Sequence, residues 1–351
     1  MQPFIYNALP GRVIFGSGTL SQLEQEITNL GCSRALVLTT SQQRDAGERL
    51  VKQLGDKSVG LYANATMHTP VEVTREALDV VAKSKADCVV ALGGGSTIGL
   101  GKAIALNTDL PQIVIPTTYA GSEATPIIGQ TENGLKTTQR ALKVLPEVIL
   151  YDVDLTFSLP PQISVTSGLN AIAHAVEALY AKDANPLISQ LAEQGIAALA
   201  RALPRIVFDP EDREARSDAL FGAWACGVCL GAVGMSIHHK LCHTLGGSFN
   251  LPHAETHTVV LPHAAAYNAS ATPEAMARVA RALGVTDAPQ GLYDLAASLG
   301  APTRLEQIGM RQDDLPRAVE IACASPYWNP RPIEAEAIGH LLANAFAGKR
   351  P

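Results

Sequence analysis

The chain has no block of basic residues, and its formal net charge is −6, so nucleic acid is not an expected partner. No uncharged apolar run reaches the roughly 18 residues that a membrane span needs, and no membrane association is expected. The opening MQPFIYNALPGRVIFGSG lacks a basic segment followed by an apolar core; no signal peptide is read there, and the expected location is the cytoplasm. Cysteine is sparse. Six residues are scattered among apolar neighbours, which suits reduced thiols. Cys226 and Cys229 form a CxxC, but with no second pair and no basic neighbour they read as small, buried helix residues rather than a redox or zinc motif. Charged residues make up only 17% against 47% hydrophobic, which excludes a disordered chain and fits a well-packed globule. At 351 residues the chain is long for one core, so two domains are expected.

What is present alternates in the first half. The runs ALVLTT (35–40), VGLYAN (59–64), DCVVALGGGS (87–96), QIVIPTT (112–118) and EVILYD (147–152) read as strands. Helical stretches separate them over Ala46–Leu54, Val71–Ser84 and Gly99–Leu106. Short β-branched runs between helices predict a parallel α/β sheet covered on both faces. After Leu159-Pro160-Pro161 alanine and leucine recur at helical spacing and strand signals nearly vanish. The reading is an α/β domain over 1–158 and an all-helical domain over 159–351.

Two turns in the α/β half point to a dinucleotide. Gly93-Gly94-Gly95-Ser96 stand between a strand and a helix, where glycine lets backbone approach a phosphate and the helix start favours an anion. Thr117, Thr118 and Ser122 follow a neighbouring strand, at the sheet edge where open α/β sheets bind ligands. The first recognised strand ends in Thr39-Thr40-Ser41-Gln42-Gln43-Arg44, with Thr40 a further cofactor candidate. No acidic residue stands there to select a ribose diol and reject a 2′-phosphate, so NADH or NADPH is expected.

Histidines supply the second constellation. Five of nine fall within 238–257, and His239 and His243 share a helix face. His174 lies upstream, four residues after Asn170. His174, His239 and His253 could offer a metal three neutral ligands, and an aspartate at 170 would complete a four-ligand site. Asn170 is neutral and a weaker ligand, so no tightly bound metal is expected; three imidazoles with an open position remain a chemical alternative.

Together these residues resemble the iron-containing alcohol dehydrogenase family, related in fold to dehydroquinate synthase, and the resemblance covers nearly the whole chain. The family's GGGSxxDxxKAIA motif is similar to Gly93–Ala105, with Gly99 in place of the aspartate, and its PTTxxTGSE motif to Pro116–Glu123, one residue shorter. The resemblance implies an N-terminal dinucleotide-binding α/β domain and an all-α C-terminal domain, and puts a lysine near the nicotinamide ribose at Lys136. It maps the family's metal ligands onto Asn170, His174, His239 and His253, and its unliganded, substrate-side histidine onto His243.

One branch of the family looks closest, on PTTYAGSEATPIIG, SGLNAIAHAVEALYA and HHKLCHTLGGSFNLPHAETH. That branch implies reduction of the carbon–carbon double bond of a small dicarboxylate, maleylacetate, to 3-oxoadipate, in aromatic-compound catabolism. His174, His239 and His253 would then meet the developing enolate, Asn170 would spare a dianionic substrate a repulsive charge, and His243 would donate the proton. A homodimer is expected. The alternatives are a metal-dependent alcohol dehydrogenase acting on small aldehydes or diols, and a lyase like dehydroquinate synthase.

Overall fold

The computed structural model describes residues 3–132, 135–324 and 327–351, and of 135 and 136 the backbone only. It divides into two compact units. The first, Leu9–Leu159, runs β1 (Arg12–Gly16), α1 (Leu23–Asn29), β2 (Ala35–Leu38), α2 (Arg44–Leu54), β3 (Ser58–Tyr62), α3 (Val71–Ser84), β4 (Cys88–Gly93), α4 (Gly95–Thr108), β5 (Gln112–Pro116), β6 (Ile127–Glu132), β7 (Leu135–Arg140) and β8 (Val148–Asp152).

Six strands form one parallel sheet in the order β1-β8-β5-β4-β2-β3. Alternation of side chains across each strand divides the core in two. Ala35, Val37, Val90, Leu92, Ile113 and Ile115 face α1 and α2 through Leu23, Ile27, Leu50 and Leu54. Leu36, Leu38, Val89, Ala91 and Val114 face α3 and α4 through Ala77, Val81, Ile98 and Ile104. Residues buried on both faces are why these strands read as unbroken apolar runs. The expected parallel α/β sheet is therefore present. The register sets Leu38 opposite Ala91 and Gly93 opposite Pro116, so β2, β4 and β5 end along one edge.

Strand β1, helix α1 and the strands β6 and β7 were not read from the sequence. Strand β1 is a half-exposed edge strand, and β6 with β7 is an antiparallel hairpin of mostly polar residues. Helix α4 also starts at Gly95, four residues before the expected Gly99.

The second unit comprises Pro160–Pro351 with the stretch before Leu9. Its helices are α5 (Pro161–Leu179), α6 (Pro186–Phe208), α7 (Arg213–Ala232), α8 (Ile237–Phe249), α9 (His253–Asn268), α10 (Pro273–Leu283), α11 (Ala288–Ser298), α12 (Leu315–Cys323) and α13 (Ala335–Ala347). All-α is what the alanine–leucine periodicity predicts. Pro160 is extended and Pro161 opens α5, where a missing N–H costs nothing.

From Ser164 to Leu179 every residue of α5 is buried, so this helix is the unit's axis. It packs against α6, α7 and α9. Helices α6 and α7 approach closely through small residues: a Cβ at Gly195 would lie 2.7 Å from Cys226 Sγ, and one at Gly222 2.7 Å from Leu199 Cγ. Cys226 and Cys229 are both fully buried, and burial pushes both thiols up. No single helix among the described residues is long and apolar enough to cross a membrane.

Candidate active site

In the first unit β4 delivers Gly93 in a left-handed conformation (φ 154°), and α4 follows with no side-chain cap at its start. The N–H groups of Thr97 and Ile98 both return to Gly94 O, while among the described residues no backbone bond claims those of Gly95 and Ser96, a usual anion cradle. Glycine is required here. A Cβ at Gly93 would lie 2.5 Å from Thr97 Oγ1 and 2.7 Å from Gln43 Oε1, and one at Gly94 2.8 Å from Thr118 Cγ2. At Gly95 a Cβ would meet nothing within 4 Å, which leaves open space over the helix start.

The second turn is bonded to the first. Thr117 N donates to Gly93 O at 3.0 Å, and Gln43 Nε2 donates to Thr117 Oγ1 at 3.0 Å. Thr40 lies two residues beyond the end of β2 in extended backbone, and its carbonyl accepts from Gln43 N. The structure thus brings Gly93, Gly94, Gly95, Ser96, Thr117 and Thr118 together, with Thr40 three residues from the Gln43 bridge. Ser122 opens a short 3-10 turn further along the same loop. Lys136 lies on β7, and its side chain is outside the described ones. Gln43 was missed by the sequence reading, which at that strand end looked for an acidic residue and singled out Thr40 and Arg44.

In the second unit α5 presents Asn170, His174 and Glu177 on one face, at spacings of four and three residues. Asn170 and His174 are 3% exposed and Glu177 is fully buried. Helix α7 ends at Ala232, and α8 sets off at 97° to it, which turns the new helix start toward Glu177. That carboxylate is the missing cap of α8. Its Oε2 accepts from Ser236 N (2.9 Å) and His239 N (3.3 Å), and its Oε1 from Ser236 Oγ (2.9 Å) and His238 N (2.8 Å).

The same Oε2 meets His239 Nδ1 at 2.7 Å, and His239 Nε2 meets His174 Nδ1 at 2.8 Å. Burial alone would push the Glu177 carboxyl up. The His239 hydrogen bond, the charges of His239 and His238 and the Ser236 N–H outweigh burial and hold it at about 2. An ionised Glu177 keeps a proton on His239 Nδ1, so His239 Nε2 and His174 Nδ1 face each other with one proton between them in the neutral pair. Glu177 was not anticipated. Its signal was only its place in the AHAVEALY helix, three residues after His174 and on the same face.

Behind this chain stand His238 and His257, with His238 Nε2 3.0 Å from His257 Nδ1. Burial, then the His239 charge, pulls His238 down to about 3; burial, then His253, holds His257 well below its ordinary value. Both are neutral near pH 7. His253 opens α9 and its ring meets that of His257 at a tilt of 60° (centroids 4.3 Å apart), and the His257 and His239 centroids lie 5.1 Å apart. His243 is exposed one turn beyond His239, with centroids 6.2 Å apart. All the expected histidines, 174, 239, 243 and 253, therefore converge, and 238 and 257 join them.

A parallel sheet with a glycine cradle and, in the same chain, a helical unit with clustered imidazoles define a class. The model of the iron-containing alcohol dehydrogenases matches residues 10–153, and that of the C-terminal part of the Fe-containing alcohol dehydrogenase family matches 164–346. The chain belongs to the iron-containing alcohol dehydrogenase family and is an oxidoreductase. Among its relatives, maleylacetate reductase of Rhizobium sp. (strain MTP-10005) is 57% identical over 351 residues, covering all of both chains. A solved maleylacetate reductase from Agrobacterium tumefaciens superposes with a TM-score of 0.97 at 57% identity, again over both full chains. A structure described as a putative alcohol dehydrogenase from Ralstonia eutropha JMP134 gives 0.99 at 59%, over both full chains.

The family's description names iron, which stands against the expectation of no bound metal. The donors themselves decide how well an ion would fit. An imidazole ligand must turn a lone pair to the ion. His174 Nδ1 and His239 Nε2 lie 2.8 Å apart, and His238 Nε2 and His257 Nδ1 3.0 Å, so in each neutral pair the two nitrogens share one proton, which an ion would have to displace. His238, Cys242 and His257 place three donor atoms within 4.8 Å of one another. Asn170 adds no charge, so an ion at the positions of the family's ligands would meet imidazoles and no anion.

Proposed function

We propose that this chain reduces the carbon–carbon double bond of maleylacetate to give 3-oxoadipate, with NADH or NADPH and without a bound metal. One observation carries the reading. The ligand positions of the metal-binding family hold a buried Glu177–His239–His174 hydrogen-bonded chain beside a neutral Asn170, in a protein 57% identical over its whole length to a maleylacetate reductase.

The reduced nicotinamide supplies a hydride when bound. Addition of that hydride at substrate C2, conjugate to the C4 ketone, pushes the double-bond electrons onto the ketone oxygen as an enolate. An enolate is more stable than an alkoxide and asks less of its electrophile. The imidazole pair answers it: with one extra proton His174 and His239 carry a positive charge that Glu177 balances, and preorganised donors of this kind stabilise developing charge. Asn170 can donate a hydrogen bond where an aspartate would repel the dianionic substrate. His243, exposed beyond the buried pair, gives its proton to C3 and completes the reduction; imidazole is the side chain suited to proton transfer near neutrality.

The Gly93–Ser96 cradle takes the cofactor's pyrophosphate, and Thr117, Thr118 and Ser122 line the adjoining turn. Arg44 is exposed and makes no ion pair among the described residues, which supports acceptance of a 2′-phosphate. A homodimer through the open edges of β1 or β3 completes the reading, and sedimentation tests it. The central experiment is metal analysis of purified protein together with oxidation of NADH and NADPH in the presence of maleylacetate. Turnover at metal contents far below one per chain is the expected result. Stoichiometric iron or zinc whose removal abolishes turnover would restore the metal-dependent reading.

A further inference from the structure

We propose that Lys102 is a positioning residue for the cofactor, pinning Ser122–Ile127 onto α4 and so setting Thr117, Thr118 and Ser122 beside the glycine turn. The proposal rests on the reading above that these two turns bind the cofactor. Lys102 lies two turns into the helix whose start is the cradle, and it is 2% exposed. Its Nζ donates to Ser122 O (2.6 Å), Thr125 O (2.7 Å), Ile127 O (2.9 Å) and Thr125 Oγ1 (3.0 Å). Thr125 Oγ1 gives its own proton to Ser122 O at 2.8 Å and so turns a lone pair to the lysine.

Burial pulls the ammonium down to about 7 against the attraction of Glu123. Four oxygen acceptors and no donor surround it, and only the charged form satisfies them, because a neutral amine would point a lone pair at oxygen. Glu123, fully buried in the same loop, accepts from Tyr151 OH at 2.8 Å and ties the loop to β8. Buried lysines are rare, and one whose acceptors all lie within Ser122–Ile127 fixes the path of that segment. Tolerance is small there: the Gly94 Cβ position and Thr118 Cγ2 are separated by 2.8 Å, so a slackened loop changes the cradle directly.

The test uses Lys102→Met in the full-length enzyme, with NADH and NADPH binding followed by fluorescence alongside steady-state kinetics. Wild type is titrated first. If it binds neither dinucleotide, the cofactor reading fails, independently of Lys102. If it binds, the variant is expected to raise cofactor Kd and KM by about tenfold or more while kcat at saturation stays within about threefold. A merely structural lysine would lower Tm and the active fraction and leave cofactor KM unmoved, and that result overturns the proposal. Should Lys102→Met not fold, Thr125→Val keeps the shape and removes one acceptor; a cofactor KM raised about threefold supports the proposal, and an unchanged KM overturns it. Propylammonium restoring cofactor KM in Lys102→Ala, where propanol does not, is the further expected result; equal action of the two overturns the role of the charge.

Discussion

Glu177→Gln removes one charge from a fully buried site and changes almost no volume. In the native protein both carboxylate oxygens only accept: Oε2 from Ser236 N, His239 N and His239 Nδ1, Oε1 from Ser236 Oγ, His238 N and, at 3.4 Å, Tyr180 OH. Glutamine keeps one acceptor and turns an NH2 toward the other set. Either orientation sets that NH2 against a backbone N–H, so a donor faces a donor. Holding the carboxyl at about 2 against an ordinary 4.5 corresponds to about 3 kcal/mol of stabilisation of the ionised form. Losing that term lowers stability at pH 7 by about 3 kcal/mol, and the buried mismatched amide adds about 1–3 kcal/mol, measured as a fall in the urea midpoint.

The pH dependence has a definite sign. A carboxyl held low in the folded state takes up its proton more readily in the unfolded chain. Its contribution is complete above about 4.5 and drains away as pH falls toward about 2. The stability gap between wild type and Glu177→Gln should therefore be widest near neutrality and narrow through that window. In kinetics the amide no longer enforces a proton on His239 Nδ1, and kcat/KM for maleylacetate should fall about 100-fold with cofactor Kd unchanged. A variant with kcat/KM within threefold of wild type, or a stability gap flat from pH 7 to 3, would refute the relay.

Three further outcomes are expected. His243→Ala should lower kcat by about 100-fold while dinucleotide binding survives; near-normal turnover removes it as proton donor. Gly94→Ala, whose Cβ would lie 2.8 Å from Thr118 Cγ2, should raise cofactor Kd more than about tenfold with little change in maleylacetate binding, read by isothermal titration of each ligand. Gly99→Asp restores the family's residue but drives a Cβ into Thr69 Oγ1, in a buried threonine already at φ 46°; Tm should drop by several degrees and recover in Gly99→Asp with Thr69→Gly, and no drop in the single variant would show the 66–70 loop free to move.

Much of the fold was legible because parallel strands buried on both faces cannot disguise themselves. ALVLTT, DCVVALGGGS and QIVIPTT carry no polar face to confuse with a helix, and Pro160-Pro161 marks where the texture changes. The edge strand β1 was lost because RVIFG is half exposed and short. The β6–β7 hairpin was lost because its strands are polar, although an Asn-Gly pair stands between them in the sequence, the dipeptide that favours tight hairpins. That the stretch before Leu9 belongs with the helical unit depends on contacts more than 150 residues distant, which no local pattern records.

The site divides along the same physical line. Glycines and histidines announce themselves, because glycine is needed where a Cβ will not fit and imidazoles cluster for few reasons other than chemistry. Gln43, Lys102 and Glu177 do not. Each is a residue type that usually ends in water, and only the folded chain shows Gln43 bonded to Thr117 and Lys102 and Glu177 buried. Glu177 shows what this conceals. On sequence alone Asn170 reads as a loss of negative charge from the histidine set. In the folded helix a carboxylate lies two turns further along the same face, behind His239 rather than in front of it. From there it cannot ligate an ion that His174 and His239 would share, but it can hold a proton on one imidazole and balance a charge on the pair. The neutral Asn170 and the buried Glu177 are thus one arrangement, with the anion withdrawn from the substrate side and kept where it tunes the donors, and this is why the Glu177 substitution tests the mechanism more sharply than a change at any of the histidines.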